Sequence, residues 1–162
     1  MKRLLAVFLS FAALSLAAEA GSHLKGMQAR WATSKKYTLA MAELMPAEHY
    51  GFKPVPEQML HIAESNLHFF GAISGTKPPA PGPVNKGKAT VLKALADSFD
   101  YSARVLDGLT ETQLAKVVDL GEGPQGSAAD GIMLALDHTT HHRGQTVVYL
   151  RLKGITPAEY QF

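Results

Sequence analysis

Apolar residues recur at helical spacing in four long segments of the chain. The pattern predicts four helices, over about residues 28–45, 56–70, 89–106 and 127–153. Pro46 ends the first helix, because proline lacks a backbone donor and disfavours helix at the residue before it. Gly154 and Pro157 follow the last helix. No segment alternates as a strand does, so the pattern predicts an all-α four-helix bundle.

The links between these helices are rich in proline and glycine. "PAEHYGFKPVP" precedes the second helix, and "GTKPPAPGPVNKGK" predicts an irregular surface connection before the third. Thr110 and Gln113 have the spacing of a capping box and predict a short helical turn before the glycine-rich "DLGEGPQG". Ser127 and Asp130 form a looser version of that box, which predicts the start of the fourth helix.

The N-terminal segment has the pattern of a secretory signal peptide. A short basic start is followed by an almost unbroken apolar run over residues 4–18, then by Ala18-Glu19-Ala20. A secretory apolar region needs only ~7–15 residues, whereas a membrane span needs about 20. We therefore expect cleavage after residue 20 and an exported mature domain of residues 21–162, periplasmic or secreted and without a stable membrane anchor. The alternative is an uncleaved N-terminal anchor helix.

Composition narrows the function classes. The formal net charge of the whole chain is +2, with no long run of like charge. The sequence therefore lacks the clustered positive charge that is typical of nucleic-acid-binding proteins. Residues 21–162 are enough chain for one domain with a substantial core. The sequence contains no cysteine. Stability must therefore come from packing rather than disulfides, and any metal would be held by nitrogen and oxygen ligands.

The clearest candidate chemistry is "HTTHHRGQ", which places three of the seven histidines within residues 138–145. His138 and His142 lie ~40° apart on one helix face, so both can reach one metal ion, although spacing also permits a His138–His141 pair. A continuous stripe includes the first pair and is expected to face the bundle interior: Leu134, His138, His142, Gln145 and Tyr149. Buried imidazoles need partners, and a metal would satisfy them. The alternatives are an exposed polyhistidine face or a hydrogen-bonded buried pair.

A third ligand would have to come from elsewhere in the chain. His61 and His68 lie one heptad apart on the second helix, Glu64 lies between them, and His49 precedes that helix. Spacing does not choose among these residues. Three protein ligands with an open position would be typical of a catalytic site, whereas four would indicate a structural one.

Three segments resemble the DinB-like family of four-helix-bundle proteins. "LDHTTHHRGQTVVYLRLKGITPAEY" at 136–160 is similar to the C-terminal signature of that family. "LMPAEHYGFKPVPEQMLHIAES" at 44–65 is similar to the region around its second helix, and "GKATVLKALADSFDYS" at 87–102 to its third. The resemblance covers nearly all of residues 21–162, and it implies the family's four-helix bundle.

The resemblance also implies one divalent metal bound by three histidines. The family's second-helix ligand matches His61, and the histidines of its H-x-x-x-H-R-G-Q motif match His138 and His142. Nitrogen ligands suit zinc or nickel first, with iron or copper as alternatives. Arg143 is then expected on the helix surface or in an interhelical salt bridge, and Gly144 where helices approach closely.

Two classes of function follow. The first is a metalloenzyme that acts on a small molecule as a hydrolase or a thiol-type transferase. Glu64, one turn from His61, is a candidate general base, and Gln145 is a candidate for supporting a ligand or contacting a substrate. Export favours metal-activated water or plain metal binding over thiol transfer, because thiol cofactors are mainly cytosolic. The second class is a non-catalytic periplasmic module that binds a metal or a small ligand. By analogy with other bundles, we also expect a homodimer.

Overall fold

The computed structural model describes the backbone of residues 2–51, 54–80, 87–121 and 125–161, and the side chains of residues 23–50, 55–80, 87–121 and 125–161. Parts of the predicted links, at residues 52–53, 81–86 and 122–124, lie outside the described residues, as do the side chains of the predicted signal segment. The elements are, in order, α1 (Lys2–Leu44), a 3-10 turn (Ala47–Gly51), α2 (Pro54–Ser74), α3 (Lys88–Asp107), α4 (Glu111–Leu114), β1 (Val117–Val118), β2 (Gly126–Ser127) and α5 (Ala128–Leu152).

The four long helices pack as a bundle, and its mostly helical content agrees with the predicted fold class. α2 packs against α3 and α5, and α1 packs against the same two helices. Consequently α2 and α5 are neighbours with an extensive shared interface, and a side chain at the edge of one helix can meet side chains of the other. Among the residues whose side chains are described, no helix is long and apolar enough to cross a membrane.

The helices extend further than the apolar pattern predicts. α1 is helical from Lys2 onward, whereas the pattern predicts a start near residue 28. No proline interrupts residues 2–44, and the Ala- and Leu-rich N-terminal run has high helix propensity. α2 continues to Ser74, four residues beyond its predicted end. The extension of α2 adds Ile73 to the buried core, so it follows from packing as well as from backbone propensity.

A two-stranded antiparallel sheet was not predicted from the sequence. β1 pairs with β2 through Val117 opposite Ser127 and Val118 opposite Gly126. Strands of two residues are too short to produce an alternating pattern, which explains why the sequence did not indicate them. The pair leads directly into α5, where the predicted capping box is confirmed. The Ser127 amide donates to Asp130 Oδ2 at 2.8 Å, and the Asp130 amide donates to Ser127 Oγ at 3.1 Å.

An aromatic cluster holds three of the long helices together. The ring of Trp31 lies 4.7 Å from that of Phe70 and 5.1 Å from that of Phe99, and all three side chains are buried. The Trp31 indole also donates to the Phe99 carbonyl at 3.2 Å, so its polar group is satisfied. This cluster belongs to a core that includes Ile132 and Leu150 of α5. The relative position of α2 and α5 is therefore set by a packed core.

Candidate metal centre

Three histidines from two helices meet at the α2–α5 interface. His61 comes from α2, and His138 and His142 come from successive turns of α5. One ring nitrogen of each lies within 4.8 Å of the others. His138 Nε2 is 3.1 Å from His61 Nε2, and the ring of His142 is centred 4.6 Å from that of His61. The structure thus brings together the three residues that the resemblance selected.

The cluster lies at the edge of the interface rather than in the bundle interior. His61 is exposed, and His138 and His142 are only half-buried. Leu134, the first residue of the predicted interior stripe, is 47% exposed. The prediction that this stripe is buried is therefore wrong. The buried line of α5 consists mainly of small or polar residues: Gly131, Ile132, Ala135, Thr139, Arg143, Thr146 and Leu150.

The composition of that buried line explains the error. Its glycine, alanine and threonines allow the neighbouring helices to approach α5 closely, but they contribute little to an apolar pattern. A Cβ added at Gly131, for example, would lie 3.2 Å from Ile73 Cδ1 of α2. The approach leaves the larger side chains of α5 at the rim, where solvent reaches the histidines.

His142 is held in one tautomer by two glutamine side chains. Its Nδ1 contacts Gln58 Oε1 and lies 3.2 Å from Gln145 Oε1. An amide oxygen only accepts hydrogen bonds, so Nδ1 carries the hydrogen and the lone pair is left on Nε2. Such an arrangement orients an imidazole for metal binding. The sequence singled out Gln145 as a supporting residue but missed Gln58, whose only signal is its position one turn before His61.

The environment keeps His138 neutral. Burial, followed by the proximity of His142 and His61, lowers the pKa of His138 to about 4. Burial and His61 also lower the pKa of His142 from its ordinary value. The Nδ1 atom of His138 is buried and has no hydrogen-bond partner among the described residues, while its Nε2 also lies 3.3 Å from Ser65 Oγ. Two of the three imidazoles are therefore in the form that binds metals near neutral pH.

The donor set fits a divalent transition metal. Two nitrogens bound to one tetrahedral ion at ~2.0–2.1 Å lie roughly 3.3 Å apart. The 3.1 Å between His61 Nε2 and His138 Nε2 is already close to that separation. Imidazole nitrogen suits zinc, nickel, copper and iron.

The remaining candidate ligands lie outside this cluster. His68 donates from Nε2 to the Leu120 carbonyl at 3.1 Å, which positions the segment that follows β1. His141 is exposed, and its Nε2 lies 3.0 Å from Gln145 Nε2. His49 lies in the 3-10 turn. Glu64 is exposed on α2 and does not belong to the histidine group. Its role as a general base stays a prediction.

The two motif residues after His142 differ from the sequence expectation. Arg143 is buried rather than on the surface, and it makes no salt bridge with any described residue. Its partners are hydroxyl groups of α1 and α5. Gly144 is exposed, and a Cβ added there would meet nothing within 4 Å, so close helix approach does not explain it. Sequence spacing shows neither outcome because it does not report which side of α5 faces α1.

A shallow depression of about 490 Å³ adjoins the histidine cluster. Phe69 and Leu134 provide apolar walls, and Asp137, His138 and His141 provide polar groups. Because His138 belongs both to the cluster and to this depression, a small molecule bound in the depression would contact the candidate metal centre.

Gln58 provides a prediction about metal affinity. Gln58→Leu keeps the side-chain size but removes the acceptor from His142 Nδ1. We expect divalent-metal affinity to fall roughly 10–100-fold, the usual cost of losing a partner that orients a ligand. Competition with a chromogenic chelator measures this change. Gln28→Leu, which removes a glutamine of α1 that bonds to α3, is the matched control. Equal affinities for both variants would contradict the role of Gln58.

The fold and the cluster define a helical-bundle protein with a three-histidine candidate metal centre. The chain belongs to the DinB family, whose model matches residues 21–162. Its sequence is 28% identical over 134 residues to the uncharacterized protein YjoA of Bacillus subtilis strain 168, covering 75% of this chain and 85% of that protein.

Two solved structures share the fold. A DinB-like protein of Bacillus cereus ATCC 10987 superposes with a TM-score of 0.71 at 20% identity, over 84% of this chain and 96% of that chain. The DinB-like YjoA of B. subtilis superposes with a TM-score of 0.67 at 24% identity, over 83% and 96%. At these identities the structural likeness concerns the fold alone.

Proposed function

We propose that the protein binds one divalent metal through His61, His138 and His142 and acts as a metal-dependent hydrolase on a small molecule. The observation that carries this proposal is the meeting of three imidazoles from two helices, with ligand nitrogens within 4.8 Å of one another. No fourth His, Asp or Glu joins the group among the described side chains. Three protein ligands leave a coordination position open, which is the arrangement of catalytic rather than structural sites.

The surroundings of the cluster support chemistry at that open position. A divalent ion held there would supply Lewis acidity. The exposed face of His61 and the adjoining depression give a substrate access, and Phe69 and Leu134 offer apolar contacts. The exposed Asp137 carboxylate can accept hydrogen bonds from a bound molecule, and the exposed His141 ring, whose Nε2 lies 3.0 Å from the Gln145 amide nitrogen, can donate one from Nδ1. Zinc or nickel are the first candidates for the ion.

Hydrolysis is favoured over thiol transfer by two features of the chain. The N-terminal pattern predicts export, and low-molecular-weight thiol cofactors are mainly cytosolic. Water, by contrast, reaches the half-exposed cluster directly.

A panel assay of metal-loaded protein tests the catalytic part of the proposal. The panel contains chromogenic carboxylic esters, phosphate esters and small lactones, and a parallel arm offers an aryl halide with a low-molecular-weight thiol. We expect turnover in the first arm that disappears with chelator and in His61→Ala but persists in His141→Ala. Turnover only in the thiol arm would replace hydrolysis by thiol transfer. Tight metal binding with turnover in neither arm would favour the non-catalytic binding module.

Export is a separate prediction. Expression of the full chain in a Gram-negative host should yield periplasmic protein that begins at Gly21, because Ala18 and Ala20 provide the small residues that a signal peptidase requires. Intact-mass measurement of the periplasmic fraction checks this result. Ala18→Lys with Ala20→Lys, which leaves the apolar run unchanged, should block cleavage. Recovery of full-length wild-type protein from the cytoplasm would contradict the prediction.

A further inference from the structure

Arg143 is a buried cation with only neutral partners among the described residues. Its side chain is 7% exposed, and Nη1 donates to Ser34 Oγ at 3.2 Å and to Thr38 Oγ1 at 3.1 Å. Nη2 donates to Thr140 Oγ1 at 3.2 Å, and the Tyr37 ring lies 4.6 Å from the guanidinium carbon. A guanidinium has five N–H donors, so hydrogen-bond capacity remains after these three bonds.

Burial is costly for this group, because no described residue forms a salt bridge with it. Arginine stays charged in proteins even when it is buried. Hydroxyl groups and an aromatic ring compensate only part of the lost hydration, and buried charges are normally paired. A negatively charged ligand would supply the missing partner.

A pocket of about 190 Å³ lies against Arg143, between α1, α5 and the C-terminal segment. Arg30 brings a second positive charge to its rim, and Tyr37 and Tyr160 form an aromatic wall with their rings 5.7 Å apart and edge to face. Met133 and Leu136 add apolar surface. A cavity of roughly 150 Å³ is enough to hold a benzene ring. The pocket therefore has room for a single aromatic ring, with positive charge on one side.

We propose that this pocket binds a small aromatic carboxylate, with its carboxylate on Arg143 and Arg30 and its ring against the aromatic wall. Arginine pairs with carboxylates through two N–H donors, and aromatic rings prefer the edge-to-face contacts that these tyrosines provide. Asp137 also lines the pocket, but it is exposed and its charge is screened by solvent.

This pocket is distinct from the histidine cluster. Thr140 and Arg143 lie more than ~90° around α5 from His138, at ~100° per residue. None of the three clustered histidines lines the pocket. Carboxylate binding in this pocket should therefore not require a metal. An experiment can then contradict the carboxylate site without contradicting the proposed hydrolase, and the reverse.

Calorimetric titration with sodium benzoate tests the proposal, and benzamide serves as the neutral probe of the same shape. We expect saturable benzoate binding, with benzamide weaker by about tenfold or more, because an uncharged amide cannot pair with a buried arginine. Binding should be equal for metal-loaded protein, chelator-treated protein and His61→Ala. That equality excludes coordination of the carboxylate at the histidine cluster.

Substitutions in and around the pocket test whether benzoate binds there. Arg143→Lys should weaken benzoate binding by about tenfold or more, since an ammonium does not reproduce the planar fork. Arg30→Gln should weaken it about threefold, as expected for an exposed charge. Lys36→Gln removes an exposed α1 charge that does not line the pocket and should have no effect. Met133→Trp, at a position that is 51% exposed, should fill the pocket without disturbing the core and abolish binding.

Equal affinity for benzoate and benzamide, absence of saturable benzoate binding, or unchanged binding in Met133→Trp would each overturn the proposal. Because Met133 and Arg30 lie at the surface, these variants remain informative if Arg143→Lys fails to fold.

Discussion

Replacing His138 with alanine is expected to reduce divalent-metal affinity by more than ~100-fold, since loss of a partner that merely orients a ligand already costs roughly 10–100-fold. His138 lies against both other histidines of the cluster. Its Nε2 lies 3.1 Å from His61 Nε2, and its ring is centred 4.4 Å from that of His142. Removing it leaves two imidazoles and a more hydrated gap between α2 and α5. Elemental analysis after dialysis against limiting metal gives the result.

The same helix offers a matched control. His141 differs from the predicted ligands in its position on α5 but not in chemistry, and His141→Ala should retain wild-type metal content. His61→Ala and His142→Ala should lose metal as His138→Ala does, whereas His68→Ala should not, because the His68 ring is engaged with the Leu120 carbonyl. An equal loss of metal in His141→Ala and His142→Ala would contradict the assignment of His138 and His142 as the two metal ligands on α5.

Metal binding is also expected to raise thermal stability by a large amount at pH 7.5. A ligand that binds only the folded state stabilises it by about 4 kcal/mol when its concentration is 1,000 times the dissociation constant. The ligands come from two helices, so the site exists only when α2 and α5 are packed together. Thermal melts with added metal and with chelator measure the difference. His61→Ala should remove most of it, because the two remaining histidines lie on a single helix.

The pH dependence follows from the lowered pKa values. In the unfolded chain a histidine takes up a proton near pH ~6.5, whereas folded metal-free protein keeps His138 neutral until its pKa of about 4. Between these values the unfolded state binds more protons, so the stability of the metal-free protein should fall as pH drops through that window. His138→Ala should flatten this decline.

The metal-dependent gain has a different window. Protons compete with metal at the folded protein, where burial lowers the pKa values of His138 and His142. The melting difference between metal-loaded and metal-free protein should therefore shrink as pH falls and be lost as pH approaches 4, where His138 itself takes up a proton. A melting difference that stays unchanged from pH 7.5 to pH 4 would contradict metal binding through imidazole nitrogens.

Features set by residues close together in the sequence were predicted better than features that depend on contacts between distant segments. The ends of α2, α3 and α5 and the Ser127–Asp130 cap arise from local spacing and propensity, and they were predicted within a few residues, whereas α1 begins well before its predicted start. The two strands were not predicted, because a strand of two residues is too short to show an alternation of apolar and polar residues. The α5 histidines were found as a local motif, but pairing them with His61 rather than His68 required the family resemblance, since residues one heptad apart have nearly the same helical phase.

The errors on α5 have a common physical origin. The apolar pattern assigned Leu134 to the interior, and Arg143, as a motif residue without a ligand role, was expected on the surface or in a salt bridge. In the structure small residues such as Ala135 and Thr139 face the bundle, Leu134 lies outside, and the Arg143 charge is buried among hydroxyl groups. A pattern of hydrophobicity records side-chain type, whereas burial here follows from how closely the helices approach.

A crystal structure of the metal-loaded protein, with anomalous scattering to identify the ion, tests the central claim most directly. The account predicts one ion bound by a nitrogen of His61, His138 and His142 at about 2.0–2.2 Å, with at least one position facing the depression and free of protein ligands. An ion held elsewhere, or a fourth protein side chain that closes the coordination sphere, would contradict it.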